Sequence, residues 1–81
     1  MTIQIRLYYH LKHKAGVDQV RLDLVEGMTV ADLKTILIKQ YPALHSHLEN
    51  ILVLMDQKIV LDGDLLNDNS EIAFMTPVGG G

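Results

Sequence analysis

Polar and apolar residues alternate from the start of the chain. Ile3, Ile5 and Leu7 share one face of residues 3–8, and Gln4, Arg6 and Tyr8 share the other, which is the period of a half-buried strand. Residues 8–16 lose that alternation and read as a short helical or irregular link stopped by Gly16. Alternation returns over residues 19–25 with Val20, Leu22 and Leu24 inward, so a second strand is predicted to pair with the first as an antiparallel hairpin. Glu26-Gly27-Met28 is turn-like. Thr29 then has the chemistry of a helix N-cap, with Asp32 at the third helical position in a weaker relative of the capping box. Val30, Leu33, Ile36, Leu37 and Tyr41 fall on one stripe at helical spacing, and Pro42 ends the helix near Gln40 or Tyr41.

The second half is more broken. Residues 43–50 read as a polar connection carrying His45, Ser46 and His47. Ile51-Leu52-Val53-Leu54-Met55 is apolar throughout, so this strand is either covered on both faces or presents one face to something else. A turn at Asp56-Gln57 leads to a short strand over residues 58–61. Asp62-Gly63-Asp64 breaks it, Leu65-Leu66 returns to the core, and residues 67–70 turn again. In the last strand, residues 71–75, Ile72 and Phe74 face one way and Ala73 and Met75 the other. The order β-β-α-β-β-β, with one long amphipathic helix, predicts an α+β domain of the β-grasp (ubiquitin-like) type. Its mixed sheet has about five strands, the main helix packs on one face, and the last strand lies beside the first in the middle. Residues 1–75 form this domain, and residues 76–81 form an extended C-terminal tail.

Composition narrows the function. A chain of 81 residues suits one small domain, and no apolar run approaches the ~20 residues that span a bilayer. Met1 to Arg6 enters the alternating pattern at once, without the layout of a secretory signal, so a cytoplasmic protein with no membrane role is expected. There is no cysteine, hence no disulfide, thiolate metal site or thiol nucleophile. Seven basic and ten acidic residues give a formal charge of −3 without a Lys/Arg cluster, which argues against nucleic acid and favours a basic partner protein.

Candidate chemistry within the domain is sparse. His10 and His13, and His45 and His47, are spaced like metal-ligand pairs but lack a neighbouring Cys or carboxylate to complete a set, so no metal is expected. Asp62-x-Asp64 resembles the start of a calcium loop, but Asn67 and Ala73 occupy the positions of its glycine and closing glutamate. No nucleophile elbow or phosphate loop is present. The distinctive chemistry is at the end. Pro77 biases Thr76 toward an extended conformation, and Gly79, Gly80 and Gly81 leave a thread without side chains after Val78. Adenylation would turn the Gly81 carboxylate into an electrophile that a sulfur nucleophile can attack, giving a thiocarboxylate.

These residues carry a resemblance. Thr29-Val30-Ala31-Asp32-Leu33 at the helix start, Leu65-x5-Glu71-Ile72-Ala73-Phe74, and the ending Phe74-Met75-Thr76-Pro77-Val78-Gly79-Gly80-Gly81 resemble the small subunit of molybdopterin synthase, a ubiquitin-like sulfur carrier, over essentially the full length. Thr76 stands where that family has a first proline, and Gly79 where it has Ser or Thr. The resemblance implies that an activating enzyme uses ATP to adenylate Gly81, and that no cofactor is bound by the chain itself. Thr76, Pro77, Val78, Gly79 and Gly80 would thread into the large synthase subunit, in a heterotetramer, where the sulfur enters a pterin precursor. Tyr8, Ile59 and Met75 would dock on that subunit. Strand parity separately places Tyr8 and Met75 away from the helix, and Leu52 or Leu54 is expected to join them. Rival expectations are a thiamin-type thiazole sulfur carrier, a ubiquitin-like protein modifier, and a plain interaction domain; all share the fold.

Overall fold

The computed structural model describes residues 1–48 and 50–75. Strands β1 (Thr2–Leu7), β2 (Gln19–Asp23), β3 (Leu52–Met55), β4 (Lys58–Val60) and β5 (Glu71–Met75) form one sheet in the order β2-β1-β5-β3-β4. The β1–β5 pair is parallel and the others are antiparallel. β5 is therefore central, as the sequence pattern predicts, with β1 on one side and β3 on the other.

Helix α2 (Val30–Gln40) begins where the pattern puts it. Thr29 Oγ1 accepts from the Asp32 N–H at 3.3 Å, and the Thr29 N–H donates to Asp32 Oδ2 at 2.9 Å. Both halves of a capping box are thus present, with Asp in the usual Glu position. Val30, Leu33 and Leu37 are fully buried against Ile3, Ile5, Leu7, Ile72 and Phe74 in one hydrophobic core. Ile36 and Tyr41, expected on the same stripe, are only half-buried at its margin.

The link over residues 8–16, read as short helical or irregular and stopped by Gly16, is a helix, α1 (Tyr9–Ala15), closed by Gly16 at φ 78° with its N–H donating to the Lys12 carbonyl. Only Leu11 of that helix is buried, so apolar periodicity alone left both readings open. Three differences from the sequence pattern have physical causes. The supposed polar connection holds a 3₁₀ helix (Pro42–His47) that buries Leu44, with Leu48 just beyond. Both turn to the core because α1 and α2 pack against this segment. Leu65, expected inside with Leu66, is 59% exposed, because its backbone bridges Thr29 and sends Leu66 inward instead. β2 also stops two residues early, since Asp23 already pairs with Thr2 at the end of β1.

β3 and β4 are joined by the two-residue loop Asp56-Gln57, both at positive φ (50° and 73°), the backbone of a type I′ hairpin. The Asp56 N–H donates to the Glu71 carbonyl at 2.9 Å and the Glu71 N–H returns to Asp56 Oδ1 at 3.0 Å. The hairpin tip is thereby tied to the start of β5.

Candidate docking face

Opposite the helices, the sheet presents an outer face with two halves. On β2 and β1 it is polar: Gln4 Nε2 donates to Gln19 Oε1, and Arg6 Nε to Glu71 Oε1, each at 2.9 Å. On β5, β3 and β4 it is apolar. Leu52 lies beside Met75, and Leu54 lies between Ala73 and Ile59. Because neighbours in register share a face, all five side chains point away from Val53, Phe74 and Val60. This explains the unbroken apolar run of β3: Val53 is core, while Leu52 and Leu54 belong to the outer surface and are only half-buried.

Both leucines thus stand on the face where one was expected. Ile59 is 66% exposed at the edge of the patch, and Met75 is half-buried at the end of β5. Tyr8 is half-buried beyond β1 with extended backbone (φ −121°, ψ 152°). The structure brings together Tyr8, Leu54 and Met75 around a hollow of about 470 Å³, while Leu52 and Ile59 flank it through their register partners. The tail residues Thr76, Pro77, Val78, Gly79, Gly80 and Gly81 lie outside the described residues.

Sequence reasoning missed Tyr9, Asp56, Gln57 and Glu71, which line the same hollow. Tyr9 is 72% exposed and adopts φ 52°, a left-handed conformation unusual for a bulky side chain. Its ring lies 6.3 Å from that of Tyr8 at a tilt of 43°. A left-handed tyrosine has no signature in residue type. The Asp56-Gln57 turn was legible, but its closeness to β5 was not.

The four histidines sit on α1 and the 3₁₀ helix; His10, His13 and His45 are exposed and His47 is half-buried. Among the described residues no group of three or more His, Cys, Asp or Glu side chains is placed to hold a metal ion. No described helix is long and apolar enough to cross a membrane.

One main helix, α2, grasped by a five-stranded mixed sheet with a central parallel β1–β5 pair defines a ubiquitin-like β-grasp protein. Residues 5–81 match the ThiS family, and the chain belongs to that family. The molybdopterin synthase sulfur carrier subunit of Chlamydomonas reinhardtii is 31% identical over 83 aligned residues, covering 98% of this chain and all of that protein. The crystal structure of SAMP1 from Haloferax volcanii superposes with a TM-score of 0.89 at 28% identity, covering both chains completely. A complex of subunits 1 and 2 of the molybdopterin-converting factor from Helicobacter pylori contains a chain of the same fold, with a TM-score of 0.72 at 16% identity and complete coverage of both chains.

Proposed function

We propose that this protein is a sulfur carrier in molybdenum cofactor biosynthesis. The near-full-length likeness to a molybdopterin synthase sulfur carrier subunit carries this reading. The family match also includes residues 76–81, so the glycine tail belongs to the family pattern. In the first step an oxygen of the Gly81 carboxylate attacks the α-phosphorus of ATP on an activating enzyme, and pyrophosphate leaves. A sulfurtransferase persulfide then attacks the acyl carbon and AMP leaves, giving an acyl disulfide; a thiol reductant cleaves its S–S bond, leaving the thiocarboxylate on Gly81 (free sulfide attacking the adenylate gives the same product directly). Inside the large synthase subunit that sulfur attacks a carbon of the pterin precursor and displaces an oxygen substituent there, giving a thioester; water then attacks the acyl carbon, the acyl C–S bond breaks, and the sulfur stays on the precursor while Gly81 returns to a carboxylate.

The chain supplies no reacting group besides Gly81. Its part is to deliver that atom. Tyr8, Leu52, Leu54, Ile59 and Met75 form the docking surface beside the base of the tail, and Thr76, Pro77, Val78, Gly79 and Gly80 are the thread. Docking on a stiff five-stranded sheet sets where the thread starts, so the terminal atom reaches the partner's site with few degrees of freedom left. The test is reconstitution with the large subunit and precursor: a thiocarboxylated chain should discharge only when both are present. Discharge to a thiazole precursor instead would assign the sulfur to thiamin-type chemistry.

A second reading has its own support in the likeness to SAMP1, a small archaeal modifier protein. As a modifier, the same adenylate would be attacked by a lysine ε-amine, forming an isopeptide bond as AMP leaves. A ladder of conjugates requiring Gly81 would establish that use.

A further inference from the structure

We infer that the hollow between α1 and the β3–β4 turn receives one arginine-type side chain from the docking partner. This deepens the docking reading above and rests on it, by naming the chemistry of the contact. Three surfaces meet in the hollow. Leu54, Ala73 and Met75 make an apolar floor, on which the methylene stem of a long side chain can lie. Tyr8 and Tyr9 make an aromatic wall, suited to stacking by a planar guanidinium.

Asp56 closes the far end beside Glu71. The two carboxylates differ in what they lack. Glu71 is already met by Arg6 at 2.9 Å, whereas Asp56 has no cationic partner among the described residues. Asp56 Oδ1 is occupied by the Glu71 N–H, leaving Oδ2 without a protein donor among the described residues. Asp56 is exposed, so a bound cation gains a modest, salt-screened charge contact there that a neutral occupant lacks. The protein's net charge of −3 favours the same sign of partner.

Backbone geometry adds weight at one residue. Asp56 and Gln57 owe their positive φ to the type I′ hairpin, whereas Tyr9 lies in no such turn and holds φ 52° on the wall of the hollow. A left-handed conformation at a bulky side chain costs free energy and recurs where a surface has a task beyond folding. The twist at Tyr9 sets its ring beside that of Tyr8.

The test uses the full chain, labelled for backbone NMR, and two small probes. N-acetyl-arginine amide should shift the amides of Leu54, Asp56, Gln57 and Ala73 saturably in the millimolar range, and N-acetyl-norleucine amide should not. Asp56→Asn keeps the acceptor for the Glu71 N–H and tolerates positive φ; it should weaken the arginine probe about threefold at low ionic strength, with the difference lost in high salt. Tyr9→Gly, which suits the same backbone, should also weaken it. Equal response to both probes, or wild-type titration by both variants, overturns the inference. Failure of the chain to bind the large synthase subunit would instead sink the sulfur-carrier reading, and the probe titrations would still decide the hollow.

Discussion

Val53 and Leu54 are neighbours in sequence and opposites in the structure, so truncating each to alanine separates folding from docking. Val53 is 3% exposed in the core, whereas Leu54 is half-buried on the outer sheet face. Val53→Ala removes two buried carbons, worth about 0.8 kcal/mol each in transfer, and a residual cavity brings the loss to roughly 2 kcal/mol. Stability for a chain of 81 residues is roughly 4–12 kcal/mol, so the variant folds. At roughly 4–8 °C per kcal/mol, its unfolding midpoint should fall by about 8–16 °C. Leu54→Ala loses three carbons that solvent already touches, and should cost under about 1 kcal/mol of stability. Its effect should appear on the partner. Burial of that side chain at an interface contributes about 1–2 kcal/mol, so affinity for the large synthase subunit should drop roughly 5- to 30-fold. Calorimetric unfolding and titration calorimetry measure the two quantities on the same samples. Equal loss of stability in both variants, with unchanged affinity for Leu54→Ala, would show that the leucine acts in the core and would refute the outer-face assignment.

Other expectations are smaller in scope. Thr29→Ala removes one half of the capping box and should cost about 1 kcal/mol, read as a lower unfolding midpoint with unchanged docking. Leu44→Ala should cost roughly 2–5 kcal/mol in denaturant unfolding, because the 3₁₀ helix buries this side chain completely; a loss below about 0.5 kcal/mol would mean the segment is not part of the core. Tyr9→Gly should leave the unfolding midpoint unchanged or higher, since the exposed ring contributes little packing and glycine accepts φ 52° without strain.

The fold was largely legible because its strongest signals are local. The alternation of Ile3, Ile5 and Leu7, the cap at Thr29 and the stop at Pro42 each act within a few residues. The centrality of β5 followed from having a single long helix to cover the sheet. What escaped was set by contacts distant in sequence. Leu44 and Leu48 look like isolated leucines in a polar stretch until α1 and α2 close over them. Leu65 and Leu66 are chemically identical, and only the bridge to Thr29 decides which one is buried. On the outer sheet face, parity sorted Tyr8 and Met75 correctly, because period-2 alternation survives any register. Tyr9 joins them through a backbone twist that its residue type does not announce, and Asp56 and Gln57 through a legible turn whose closeness to β5 depends on distant pairing.

In the proposed function sulfur travels on the Gly81 carboxyl group, in place of one of its oxygens. The most direct test is the intact mass of the purified chain after incubation with ATP, an activating enzyme and a sulfide source. A sulfur carrier should gain the mass of one sulfur replacing one oxygen, and the gain should be absent when Gly81 is deleted and reversed when the large synthase subunit and precursor are added. A mass that never changes, or a gain that persists without Gly81, would contradict that role.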